Sequence, residues 1–230
     1  MVDLSQCPWS TWAPGTVHFC EARICGWIRE PADAWSSVAY LLGAVVMIAR
    51  RQPVLAILAQ VLIGVGSFFF HASGTFVGEL VDQMGMYLLS CLMLAYAAAE
   101  ARRLSEQKAI ALWAGLVAVS TALNVAIRPI GIPLFALELT AGIFWQVKLG
   151  GWPSPARYRA LYTGIGIFVV SFGIWITDIT GLVCDPNRHW MNGHAIWHTL
   201  DALSIVFLGH FYAQRPAPDA APAPAALAGG

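Results

Sequence analysis

The sequence predicts an all-α integral membrane protein in which a bundle of seven transmembrane helices crosses the bilayer. Hydrophobic residues make up 58% of the 230 residues and charged residues only 11%, whereas soluble domains carry roughly 25% charged residues. The apolar residues lie in continuous runs rather than in alternation, which indicates helices and excludes a membrane β-barrel. Lys+Arg and Asp+Glu balance at 13 each, so no net charge favours binding to nucleic acid.

Breaks of charge, glycine or proline separate the apolar runs, whose lengths are close to the roughly 20 residues that a helix needs to cross the hydrocarbon. The predicted spans are 34–49, 54–73, 81–99, 109–127, 132–149, 158–177 and 193–212. Residues 1–33 then form an extracytoplasmic N-terminal segment, and the Pro/Ala-rich residues 213–230 form a disordered tail. Six spans is the alternative if one run is buried or re-entrant.

The distribution of basic residues predicts the orientation of the bundle. The loops after the first, third and fifth spans, together with the tail, contain nine Lys and Arg residues, whereas the N-terminal segment and the other loops contain four. The positive-inside rule therefore places the N-terminus outside and the C-terminus in the cytoplasm.

Ionisable residues cluster at the outer ends of three predicted spans. Placing such residues within a membrane costs free energy, so their presence indicates a function. The second span ends with Ser67 and His71, which are four residues apart and share a helical face, and the third opens with Asp82. The seventh span opens with His194 and His198, again four residues apart. Such a pair can present two imidazoles to one tetrahedral zinc ion, and three histidines with a water are typical of a catalytic zinc site.

Other polar residues allow further or simpler interpretations. His189, in the same outer segment, is a candidate fourth ligand, and Asp201 continues the face of the histidine pair and could orient an imidazole. His210 and Glu138 are interpreted as hydrogen-bonded residues of the helix bundle, which is the usual role of an isolated polar residue in a span.

The segments GVGSFFFHAS, ELVDQMGM and GHAIWHTLDALS, in this order, resemble the alkaline ceramidases and the superfamily of seven-helix membrane hydrolases that contains them. The segment CEARICGWIREPADAWSSVAYLL is similar to the opening signature of that family, and the resemblance extends from Cys20 to about Ser204. It implies three zinc ligands, with the serine and the aspartate of the second and third spans beside the metal. The implied zinc ligands are His71, His194 and His198.

The resemblance implies hydrolysis of the N-acyl bond of ceramide to a sphingoid base and a fatty acid. Zinc lowers the pKa of a bound water towards about 7. Asp82 would accept the proton of this water and return it to the leaving amine, and Ser67 would donate a hydrogen bond to the oxyanion. The alternatives are a zinc hydrolase of another acyl lipid and a receptor-like, lipid-binding membrane protein in which zinc is structural.

Two acidic residues of the N-terminal segment, Glu21 and Glu30, are candidate calcium ligands, because hard cations prefer oxygen. Eukaryotic members of the family that the chain resembles carry an acidic residue and an asparagine where this sequence has His18 and Arg23. Asp33 offers a substitute oxygen ligand. The alternative is that these acids are solvated or paired with neighbouring arginines.

Four of the five cysteines fall in segments predicted to lie outside the membrane, where disulfides form. The sequence alone leaves their pairing open, whereas the resemblance favours Cys20 with Cys184. Cys91 lies within the third span and is expected to be a buried thiol.

Overall fold

The protein is all-helical, as the sequence predicts. The computed structural model describes residues 6–102, 104–150 and 156–215, and an isolated β-bridge joins Pro14 to Thr75. The helices of the described residues are α1 (Pro31–Ser36), α2 (Val38–Ala49), α3 (Val54–Ser73), α4 (Phe76–Arg102), α5 (Glu106–Ala126), α6 (Gly131–Gly150), α7 (Ala156–Ile179) and α8 (Gly193–Ala213).

Six helical segments among the described residues are long and apolar enough to cross a membrane. These candidate spans are Pro31–Ala49, Val54–Ser73, Phe76–Arg102, Glu106–Ala126, Arg128–Leu149 and Arg157–Ile179. Helix α8 has 21 residues but is not among them, since it carries three histidines and Asp201. The prediction of a membrane protein with several spans is therefore confirmed, whereas the seventh span stays a prediction.

The helix boundaries differ from the predicted spans near the histidines. Helix α1 begins at Pro31, because proline fits the first turn of a helix, and α4 begins at Phe76, which places Asp82 in its second turn. Helix α3 ends at Gly74, whose φ of 64° favours glycine. Asn192 caps α8 by accepting a hydrogen bond of 2.7 Å from the backbone N–H of Ala195.

The centre of the bundle contains α4, which is buried over most of its candidate span, whereas α5 and α7 are largely exposed. Tyr40, Tyr87 and Phe211 are fully buried in the core. Large apolar side chains such as Val119 and Leu137 are exposed on the outside of the bundle, as expected for helices whose solvent is lipid.

Two disulfides fix the N-terminal segment, one within the segment and one to the loop that precedes α8. Cys20 pairs with Cys184, which confirms the pairing that the resemblance favoured, and Cys7 pairs with Cys25. Cys91 is a free, buried thiol, as expected. Of the predicted disordered tail, residues 216–230 lie outside the described residues, and α8 extends to Ala213, one residue beyond the predicted span.

Glu138 is a buried, hydrogen-bonded residue, as expected, whereas His210 is exposed and the same expectation was wrong for it. Ser90 on α4 donates a hydrogen bond of 2.6 Å to the Oε2 atom of Glu138, and Ser120 on α5 donates to its Oε1 atom. Because Glu138 itself belongs to α6, this carboxyl group joins three helices where water is scarce.

We expect Gly66→Ala to destabilise the protein, because a glycine is required where α3 meets α4. A Cβ atom at Gly66 would lie 2.6 Å from the Cα atom of Asp82, so the helices would have to separate. Overpacking of this kind costs about 1–3 kcal/mol, which a lower Tm in detergent would reveal. Gly115→Ala is the matched control, because a Cβ atom there meets no heavy atom of the described residues within 4 Å. Equal Tm values for the two variants would contradict this prediction.

Candidate metal centre

Three buried histidines from two distant parts of the chain meet at one end of the bundle. His71 lies in the last turns of α3, and His194 and His198 occupy successive turns at the start of α8. Their possible ligand atoms all lie within 4.8 Å of one another. The Nε2 atoms of His71 and His194 are 3.2 Å apart. The predicted convergence of these residues is therefore present.

The geometry of the three rings fits a metal ion bound through Nε2 atoms. The Nδ1 atoms of His71 and His198 are engaged by Glu30 and Ser36, at 2.7 Å in each case, which leaves their Nε2 atoms for a metal. Metal–nitrogen bonds of 2.0–2.1 Å at a tetrahedral angle separate two ligand nitrogens by about 3.3 Å. The distance of 3.2 Å between His71 and His194 matches that spacing.

The hydrogen-bond partners of the rings fix their orientation. Glu30 is itself buried and accepts from the Nδ1 atom of His71, an arrangement common behind metal-bound histidines. Burial alone would raise the pKa of Glu30, but its interactions with His71 and with Arg23 outweigh burial, and the pKa lies below its usual value. Glu30 is therefore an anion next to the histidine cluster.

His194 is held by its backbone and by an aromatic neighbour. Its N–H donates a hydrogen bond of 3.1 Å to Asp178 Oδ1, while Asp178 Oδ2 accepts one of 3.2 Å from the backbone of Cys20. The ring of Phe19 lies against the His194 ring, with the ring centroids 3.9 Å apart. The N-terminal segment thus covers the histidines and is fixed there by the Cys20–Cys184 disulfide.

Ser67, Asp82, His194 and His198 all line one cavity of about 210 Å³ between α4, α6, α7 and α8. Most of its other lining residues are apolar, among them Phe135. Ser67 Oγ lies 3.2 Å from His198 Nε2 and within hydrogen-bond distance of Ser37 Oγ, at 3.1 Å. A reacting group in this cavity would thus meet the two histidines of α8, a hydroxyl and a carboxyl group together.

Two secondary predictions were wrong about the partners involved. Asp201 does line the cavity, but its hydrogen bond is with the Tyr40 hydroxyl, at 3.0 Å, rather than with an imidazole. The imidazoles are instead supported by α1 and the residue before it, since Ser36 contacts His198 and Glu30 contacts His71. His189 is not part of the cluster, since its Nδ1 atom lies 2.8 Å from Glu21.

The predicted calcium ligands already have partners within the protein. Glu21 caps α1 by accepting hydrogen bonds of 3.0 Å from the backbone N–H groups of Ala32 and Asp33, and it also contacts His189. Glu30 is shared between Arg23 and a ring of the metal centre. These contacts do not fit a cage of free oxygen ligands, which calcium requires. The calcium site stays a prediction without support from this geometry.

Sequence reasoning missed several residues of the site. Ser36, Asp178 and Tyr40 had no visible pairing in the sequence, since each one acts through a contact with a distant segment. Asp33 was considered only for calcium, yet it forms a second cluster of candidate metal ligands with Glu30 and His71. The Cys-Glu pair at Cys20 was the available signal that the N-terminal segment approaches the site.

Comparison with known proteins identifies relatives over most of the chain. Residues 13–215 match a family model described as Ceramidase. Alkaline ceramidase 3 of Mus musculus is 23% identical over 220 residues, which cover 84% of this chain and 81% of the mouse protein. The matched region includes the whole candidate metal centre and the N-terminal segment that covers it.

Proposed function

The chain belongs to the ceramidase family, and we propose that it is a zinc-dependent membrane hydrolase that cleaves the N-acyl bond of ceramide. The family makes it an amide-bond hydrolase. The observation that supports the proposal best is the meeting of three buried histidines, two of which, His194 and His198, line an apolar cavity. The products are a sphingoid base and a free fatty acid.

His71, His194 and His198 would hold the zinc ion through their Nε2 atoms, which are the ring nitrogens that Glu30 and Ser36 leave free. Three neutral histidines are a ligand set of catalytic zinc, and they leave a position open for the substrate. When bound, zinc supplies Lewis acidity that polarises the amide carbonyl and makes a water molecule more acidic. Histidine binds metals in its neutral form, and all three rings are buried.

Asp82 and Ser67 would carry out the proton transfer and the charge stabilisation. Asp82 takes a proton from the attacking water, whose oxygen forms a bond to the carbonyl carbon, and delivers that proton to the nitrogen as the C–N bond breaks. Ser67 Oγ lies 3.2 Å from His198 Nε2, and with that nitrogen bound to a metal the hydroxyl proton would be free for the oxyanion. Both residues line the cavity that contains the metal centre.

The cavity suits an amide that carries long apolar chains. Its walls include Ile63, Leu89 and Phe135, which would contact hydrocarbon, while Ser67, Asp82 and the two histidines of α8 supply polar groups. A lipid amide can therefore reach the metal without exposing its chains to water. A hydrolase of another acyl lipid would use the same walls, so a panel of lipid amides and esters is needed to establish the substrate class.

We also propose that α8 is the seventh span, with the N-terminus outside, the C-terminus in the cytoplasm and the active site on the extracytoplasmic side. Helix α8 packs against α2, α3 and α7, and its His194, His198 and Asp201 are buried and so shielded from lipid. Both disulfides lie at the histidine end of the bundle, and disulfides form in oxidising compartments. The 1–33, 34–212 and 213–230 divisions follow from this topology.

Removal of the metal tests the zinc proposal. We expect prolonged dialysis of the purified protein against a chelator to abolish the release of fatty acid from labelled ceramide, and added zinc to restore it. Metal analysis of the same samples should follow turnover, with one zinc site per chain. Full turnover by metal-free protein would contradict the proposal, and preference for another lipid would reject ceramide but retain the metal centre.

A further inference from the structure

Arg23 pairs with Glu30, which in turn contacts His71 of the metal centre. Its Nε atom donates a hydrogen bond of 2.8 Å to Glu30 Oε1, and the side chain of Glu30 is only 2% exposed. The chain returns between these residues through a turn in which the N–H of Ile24 donates to the carbonyl of Arg29 at 2.9 Å. The ion pair therefore belongs to a short, closed loop rather than to a mobile surface.

Glu30 is linked to His71 through both its backbone and its side chain. The backbone N–H of Glu30 donates to the carbonyl of His71 at 3.1 Å, and Glu30 Oε2 lies 2.7 Å from His71 Nδ1. Each carboxylate oxygen of Glu30 thus has a separate partner, a guanidinium on one side and a ring of the metal centre on the other. A shift of Arg23 would consequently be transmitted to the His71 ring.

The end of α3 is shaped to accept the guanidinium. A Cβ atom at Gly74 would lie 3.2 Å from both Cζ and Nε of Arg23, so the missing side chain leaves the space that the arginine fills. Gly74 follows His71 by three residues and has a positive φ of 64°, which makes glycine doubly suitable there. Arg23 is thus packed against the same helix end that presents His71.

We propose that the guanidinium of Arg23 is the resident cation of this acid cluster, where it takes the place of a calcium ion and, through Glu30, holds His71 at the metal centre. Arg23 is then a positioning residue that does not touch the substrate. Glu21, whose oxygens cap α1, contributes to the same segment without acting as a cation ligand. The proposal rests on the proposed function, in which His71 binds the metal.

Arg23→Asn tests the proposal, because asparagine removes the cation and adds an oxygen ligand. We expect turnover of the variant in calcium-free buffer to fall about tenfold, the lower end of the effect of losing a partner of a metal-bound histidine. The absorption spectrum of the cobalt-substituted variant should shift, because the His71 ring is released. Millimolar calcium should raise the Tm of the variant and recover turnover, whereas Arg23→Lys should stay insensitive to calcium.

The wild-type protein and a neighbouring arginine provide the controls. Neither calcium nor a calcium-selective chelator should change the Tm or the turnover of the wild type, a measurement that stands even if the variant does not fold. Arg29→Asn removes a cation whose Nη2 atom bonds the carbonyl of Pro8 at 2.7 Å, and it should gain no response to calcium. Stabilisation of the wild type by calcium, or an Arg23→Asn variant with unchanged turnover and spectrum, would overturn the proposal. Failure of wild-type protein to bind cobalt would contradict the proposed metal centre itself.

Discussion

The His194→Ala variant should lose its metal and its hydrolytic activity together. His194 is buried and presents its Nε2 atom 3.2 Å from that of His71, so no other described side chain can replace it as a ligand there. Loss of a partner behind a metal ligand costs about 10–100-fold in affinity or activity, so loss of a ligand should lower turnover by more than about 100-fold. Zinc content and the rate of ceramide hydrolysis, measured on one preparation, provide the test.

His210→Ala is the matched control for this variant. His210 lies in the last turn of the same helix and is exposed, far along α8 from the metal centre. It should retain both zinc and turnover, so a general effect of removing histidine from α8 can be separated from the loss of a ligand. A His194→Ala protein that keeps its zinc and its activity would show that the metal, if bound, is held elsewhere.

The sequence predicted the helices well because their physical signal is local. Continuous apolar runs require helices in lipid, where every backbone group must be satisfied within the segment. The errors occurred at helix ends, whose positions depend on capping groups and on contacts with neighbouring segments. Helix α4 starts at Phe76, before its apolar run, because Glu79 is buried and accepts a hydrogen bond of 2.6 Å from Thr16 Oγ1 of the N-terminal segment.

The histidines of the site could be predicted for a similar reason. The four-residue spacing of His194 and His198 places both on one face of α8, and that spacing is visible in the sequence. Their partners could not be predicted, because Ser36 and His198 are separated by 162 residues and meet only through the packing of α1 on α8. The resemblance to known enzymes supplied the substrate class, which no spacing encodes.

The N-terminal acids show how a motif can be present while its chemistry changes. Glu21 and Glu30 retain the charge that suggested calcium, but the structure assigns their oxygens to helix capping, to a histidine and to Arg23. A carboxylate that already accepts several hydrogen bonds has little to gain from a further cation. The carboxylates alone therefore suggested a calcium site, and only the contacts revealed that hydrogen-bond donors of the protein already occupy their oxygens.

The Asp82→Asn variant should keep its zinc but lose turnover, unlike the ligand variant. Asp82 lines the cavity beside Ser67, and its backbone lies against Gly66 of α3, so an isosteric amide should fit without moving the helices. An amide cannot take the proton of the attacking water, and loss of a general base costs about 10²–10⁴-fold in rate. The measurement is kcat for ceramide together with the zinc content of the same protein.

Asp201→Asn distinguishes the loss of a base from the loss of any acid in the cavity. Asp201 lines the same space but accepts a hydrogen bond from Tyr40, which the oxygen of an asparagine can still accept, so its effect should stay below about tenfold. If Asp82→Asn instead lost its zinc in step with its activity, Asp82 would support the metal rather than transfer a proton. A variant that keeps its zinc but has little turnover is the result expected if Asp82 acts as a general base, because the three histidines would bind the metal without it.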